Sequence, residues 1–151
     1  MNMEMKNKIR VEMEALSENE GLARTVAASF AAGWDPTMEE LTEIKTAISE
    51  AVSNAIIHAY PEGPEGRKGK VILEMAGNRE GKLIFTVEDQ GIGIGDVKRA
   101  REPLYTTGDG ERSGMGFTVM ESFMDRLDVE SAPGRGTRVT MIKVLDIIHG
   151  Q

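Results

Sequence analysis

The sequence predicts an α+β fold, a two-layer α/β sandwich in which a mixed, mostly antiparallel sheet carries helices on one face. Three observations lead there. Apolar residues recur at helical spacing in two consecutive segments before residue 60. Two later pairs of segments alternate apolar and polar residues across short turns, as hairpins do. An isolated alternating segment near the N-terminus has no sequence-adjacent hairpin partner, so its edge is available for pairing.

Taken in order, Ile9, Val11 and Met13 alternate with charged residues and predict a half-buried strand. Ser17 followed by Glu20 has the form of a capping box, opening a helix over the Ala-rich stretch Gly21 to Ala32, with Gly33 as its stop. Thr37 and Glu40 form a second such box. The helix after it runs from about Met38 to about Tyr60, where Pro61 ends it. Its apolar stripe is Leu41, Ile44, Ile48, Ala51, Val52 and Ala55. The Pro- and Gly-rich stretch Pro61 to Gly69 is a loop. Val71, Leu73 and Met75 pair through a turn at Gly77 to Gly81 with Leu83, Phe85 and Val87. A third helix is expected over Phe117 to Leu127. A strand over Leu127 to Ser131 then turns at Pro133 to Gly136 into a last strand, Thr137 to Val144. No linker divides the chain, so residues 1–151 are expected to form one domain.

The 151 residues carry a formal net charge of −7 and no cysteine. An acidic surface repels phosphate backbones, so direct nucleic-acid binding is not expected, although one phosphate can still be held by backbone N–H groups. Without cysteine there is no disulfide framework, thiolate metal site or thiol nucleophile. The polar N-terminus lacks a signal-peptide core and no apolar run approaches the ~18 residues of a membrane span. A cytoplasmic protein without a membrane partner is the expectation.

Three elements carry chemistry. Glu50 and Asn54 lie four apart on the long helix and project the same way, off its apolar stripe. They could orient a nucleophile and ligate Mg²⁺, a hard cation that takes oxygen ligands, or simply face water. Asp89 ends a strand and enters Gly91-Ile92-Gly93, where glycine lets a ligand approach the backbone. Its carboxylate could accept from an exocyclic amine such as that of adenine, or the run could be an ordinary turn. Ser113-Gly114-Met115-Gly116 feeds a helix N-terminus, the arrangement that presents N–H groups to phosphates, or else a plain helix start. Between these runs lies Asp96 to Arg112, long enough for a lid, with Arg112 placed to meet a terminal phosphate.

The order Glu50-x-x-x-Asn54, Asp89-x-Gly91-x-Gly93, Gly114-x-Gly116 resembles the GHKL (Bergerat-fold) ATPase superfamily. Leu41 to Lys45, Ser49 to His58, Pro103 to Thr107 and Glu111 to Phe117 are similar in particular to its branch of anti-sigma factor serine kinases, of the sporulation type. That resemblance, from about Met5 to Val144, implies ATP and ADP as ligands and Mg²⁺ held through Asn54. It implies Glu50 as general base and Asp89 as the adenine contact, with Gly91 and Gly93 shaping that corner and Thr137 supporting it. It places Thr106, Thr107, Arg112, Ser113, Gly114, Met115 and Gly116 at the lid and phosphates, and Arg24 on the face toward the partners. Those partners would be a sigma factor of the sigma F type, an anti-anti-sigma protein phosphorylated on serine, and a second copy of the chain, paired through the first strand and helix. Relatives often carry a lysine soon after the two lid threonines, where this sequence has Gly108-Asp109-Gly110. An ATP-gated sigma-binding module with little catalysis, and a stress-response kinase of the sigma B type, are the alternatives.

Overall fold

Alternation decides the sheet. In the computed structural model, residues 5–57, 69–91, 93, 97, 101 and 116–146 are described. They form β1 (Met5–Glu14), α1 (Glu18–Ala32), α2 (Met38–Ile57), β2 (Lys70–Asn78), β3 (Lys82–Asp89), α3 (Gly116–Phe123), β4 (Arg126–Ala132) and β5 (Gly136–Val144). The strands lie in the order β1-β2-β3-β5-β4. Every pairing among them is antiparallel, so the described sheet is not the mixed one expected. β1 pairs with the distant β2, Ile9 opposite Met75 and Val11 opposite Leu73, and its other edge ends the described sheet.

Val71, Leu73 and Met75 on β2, Leu83, Phe85 and Val87 on β3, and Val139 and Met141 on β5 are buried on one face. α2 covers that face, in contact with β2, β3 and β5, while α1 and α3 flank it. Seven α2 residues are buried: Ile44, Ala47, Ile48, Ala51, Val52, Ala55 and Ile56. Each isoleucine or valine so covered contributes on the order of 1.5–3 kcal/mol. Small alanines between them let α1 and α3 approach closely.

The two expected capping boxes differ. At α2 the box forms: Thr37 N–H donates to Glu40 Oε1 at 2.9 Å, and Glu40 N–H donates to Thr37 Oγ1 at 3.0 Å. At α1 it does not. Ser17 is itself helical (φ −61°, ψ −29°) and makes no side-chain cap bond. An N-cap oxygen reaches the first-turn N–H groups from extended backbone, so helical geometry at Ser17 removes it. Glu20 turns elsewhere and accepts a 2.5 Å hydrogen bond from Ser49 Oγ on α2.

Two boundaries also move. β2 runs on through Gly77 to Asn78, whose side-chain oxygen accepts from the N–H groups of Glu80 and Lys82 and closes a tighter turn than expected. Gly77 is in the strand because Trp34 lies on it: a Cβ there would stand 2.4 Å from the indole. α3 ends at Phe123, short of Leu127, which belongs to β4.

Candidate functional site

The candidate residues lie at the end of β3, on the β4–β5 hairpin, on the polar flank of α2 and at the start of α3. At the first corner, Asp89 closes β3 and is only 6% exposed. Its Oδ1 accepts from the Gly91 N–H at 2.9 Å, and the Thr137 N–H on β5 also donates to the carboxylate. Burial, with a smaller push from neighbouring Glu88, raises its pKa to about 6 against the lowering effect of those two N–H groups. An acceptor this desolvated gains most from a ligand amine, because water is not there to compete.

Two glycines allow the corner to close. Gly93 has φ 78°, and a Cβ on it would lie 2.0 Å from the Ala132 carbonyl oxygen. Gly136 has φ 82°, and its Cβ would lie 2.2 Å from the Asp89 carbonyl oxygen. Backbone from two hairpins thus meets at distances that any side chain would forbid. Ser131 completes the support. Its Oγ donates to the Gly136 carbonyl at 2.8 Å, which leaves the Thr137 hydroxyl to donate to Ser131 at 2.8 Å. Sequence reasoning missed Ser131 and Gly136. The positive φ of Gly136 was legible in the Pro-Gly-Arg-Gly turn, but its approach to Asp89 depends on the β3–β5 register, Asp89 opposite Thr137.

The second wall is α2. Glu50 is half-buried and lines an open cleft between α1 and α2 together with Ser49, Thr46, Lys45, Thr42 and Arg24. The structure therefore brings Glu50 and Arg24, expected in separate roles, to one cleft. Arg24 is held by Glu20 at 3.4 Å, one turn back on α1. One turn beyond Glu50, Asn54 stands against the start of α3: a Cβ on Gly116 would be 3.0 Å from the Asn54 amide. The carboxamide thus sits where a helix N-terminus begins, as a site for phosphate and its cation requires.

Among the described residues no cluster of three or more His, Asp or Glu could cage a metal. The Asn54 side chain offers an oxygen of the kind that Mg²⁺ takes, and that ion keeps waters and accepts phosphate oxygens for the rest of its shell. Thr106, Thr107, Arg112, Ser113, Gly114 and Met115 lie outside the described residues, as does His58. No helix among the described residues is long and apolar enough to cross a membrane.

Residues 13–143 match the family model of the histidine kinase-like ATPase domain. The chain is 54% identical over 143 residues to the anti-sigma F factor of Clostridium perfringens strain SM101, covering 94% of this chain and 99% of that one. It is 51% identical to the anti-sigma F factor of Bacillus subtilis strain 168, covering 93% and 94%. In three dimensions it is similar to the RsbU and RsbW domains of a Mycobacterium tuberculosis protein, with a TM-score of 0.64 at 19% identity over 93% of this chain and 32% of that one. A blue-light activated histidine kinase of Erythrobacter litoralis follows, with a TM-score of 0.57 at 20% identity over 85% of this chain and 60% of that one. The chain belongs to the anti-sigma F factor family, within the histidine kinase-like ATPases.

Proposed function

Proceeding from that membership, we propose that the chain is an ATP-dependent protein-serine kinase that also holds a sporulation sigma factor of the sigma F type inactive. One observation carries the catalytic half: Glu50 and Asn54 stand one turn apart on α2, with Asn54 against the first residue of α3. This supports a site in which a base and a cation ligand share one rigid helix beside a phosphate-binding helix start.

In this reading the adenine amine donates to Asp89 in the corner closed by Gly91, Gly93 and Gly136, with Thr137 supporting the carboxylate. The phosphates meet Ser113, Gly114, Met115 and Gly116, and Thr106 and Thr107 belong to the lid. Asn54 supplies the protein oxygen for Mg²⁺, which when bound neutralises charge on the phosphate oxygens. The partner's serine enters by the cleft that holds Arg24. Glu50 takes the hydroxyl proton as the serine oxygen bonds the γ-phosphorus and the bond from that phosphorus to the β-phosphate oxygen breaks. ADP leaves, and Arg112 offsets the charge on the transferring group. The phosphorylated partner is an anti-anti-sigma protein, and the working unit is a homodimer.

The test is calorimetric titration with Mg·ATP and Mg·GTP, then incubation of the ATP complex with a candidate anti-anti-sigma protein and mass analysis. ATP-selective binding with phosphoserine on the partner is the expected result. Binding without transfer would leave an ATP-gated sigma-binding module, and no nucleotide binding would overturn the site.

A further inference from the structure

β5 points Val139, Met141 and Lys143 toward the helices, so a lysine occupies a core-facing position and is only 8% exposed. Its Nζ lies 2.5 Å from Glu43 Oε1 on α2 and donates to the carbonyl of Phe123, the last residue of α3, at 2.8 Å. Two further bonds fasten the same end of α3 to β5. The Asp125 N–H donates to the Ile142 carbonyl at 2.8 Å, and Asp125 Oδ2 accepts from the Val144 N–H at 2.6 Å.

Stability alone does not account for this pair. Replacing a buried ion pair with apolar residues of similar volume is often neutral or stabilising. Its placement offers another account. Glu43 lies near the start of α2 and meets the end of α3, while Asn54 lies near the end of α2 and meets the start of α3. The two helices are therefore antiparallel neighbours. They are bolted together at one end by Lys143, and at the other they face each other across Asn54 and Gly116. α3 has 8 residues, a lever of roughly 12 Å at ~1.5 Å per residue.

We infer that Lys143 and Glu43 are a positioning pair, the pivot that sets the spacing between Asn54 and the N-terminus of α3 and thereby the fit of the nucleotide's phosphates. The phosphate part rests on the proposed nucleotide site; the spacing part does not. The adenine corner on β3 and the β4–β5 hairpin is built without either residue.

The test uses the full chain, whose lack of cysteine lets two labels be placed cleanly. Spin labels at Ile57→Cys and Thr118→Cys report the α2–α3 spacing in nucleotide-free protein. Lys143→Met is expected to shift or broaden that distance, Glu43→Gln to do the same, and Lys143→Arg to restore it largely. In unlabelled protein, Lys143→Met should lower affinity for Mg·ATP about tenfold, as small misplacements do, and for Mg·ADP less. Adenosine affinity should stay within about twofold, while the urea midpoint should fall, because Lys143→Met leaves Glu43 and the Phe123 carbonyl without their donor. An unchanged label distance would overturn the pivot whatever the nucleotide results. Equal losses for adenosine, ADP and ATP would reduce the pair to a structural role. A wild-type chain that bound no adenine nucleotide, with the distance still shifted in Lys143→Met, would overturn the nucleotide site and keep the pivot.

Discussion

Asp89 and Glu50 are two carboxylates of one proposed site, and they are housed in opposite ways. Asp89 is buried at a strand end, fixed by two backbone N–H groups and enclosed where glycines let two hairpins touch. Glu50 stands half-buried on a helix flank, at an open cleft it shares with Arg24 and Lys45. The contrast fits the proposed tasks. A group that reads a ligand amine gains from being dry and immobile. A group that takes a proton from a hydroxyl on another protein must be reachable by that protein. The Asp89 corner depends on backbone geometry, and the Glu50 wall depends on one side chain carried by a helix that the core holds rigid.

The largest expected effect lies on the open side. Glu50→Gln keeps the shape but removes the base, so phosphate transfer should fall about 10²- to 10⁴-fold. Because Glu50 is assigned to the proton and not to the nucleotide, Mg·ATP affinity should change by no more than about twofold. Single-turnover transfer to the partner protein, beside calorimetry on the same variant, separates the two. Normal transfer would remove Glu50 from the chemistry and with it the division of labour.

The next effect lies on the closed side and should have the opposite signature. Gly136→Ala puts a Cβ within 2.2 Å of the Asp89 carbonyl oxygen at φ 82°. The strain is of order 1–3 kcal/mol, and relieving it displaces Asp89. ATP affinity should fall at least about tenfold, the urea midpoint should drop, and transfer at saturating ATP should be largely kept. Unchanged affinity would mean that the close approach of the hairpins has no part in holding nucleotide.

How much of this was legible in sequence depends on the range of the interaction. Residues whose role is local, such as Thr37 with Glu40, read correctly because three residues of helix fix their geometry. Glu20 has the same local signature and was misread, because Ser49 lies 29 residues away in sequence and next to it in space. Glu50 and Asn54 could be placed on one helix flank from spacing alone. That Asn54 meets Gly116, that Gly136 roofs Asp89, and that Lys143 fills a core position as an ion pair are consequences of register and helix packing. Arg24 beside Glu50 is likewise a product of the α1–α2 contact.

The smallest expected effect is also the most diagnostic of the closed wall, because it sets stability against binding. Asp89 has its pKa raised from 3.8 to about 6, chiefly by burial. Below about pH 3 the group is protonated in both folded and unfolded chains and imposes no charge cost. As pH rises from about 4 to about 6 the unfolded chain releases the proton first. Folding then loses up to about 3 kcal/mol from this group, a loss that is complete above the folded pKa. Asp89→Asn cannot ionise, although it gives up part of the bonding to two N–H donors. The nucleotide-free variant should therefore be more stable than the parent chain at pH 7.5 by about 1–2 kcal/mol, and the advantage should vanish at pH 4. Binding should run the other way, since the amine needs the carboxylate. Parent affinity for Mg·ATP should weaken severalfold from pH 7.5 to 5.5, while that of Asp89→Asn should be lower at pH 7.5 and nearly flat with pH. Urea melts and titrations at the two pH values check both halves. A variant less stable than its parent at pH 7.5 would mean that the two N–H bonds outweigh the burial of charge, and that the Asp89 corner is held together by the carboxylate rather than in spite of it.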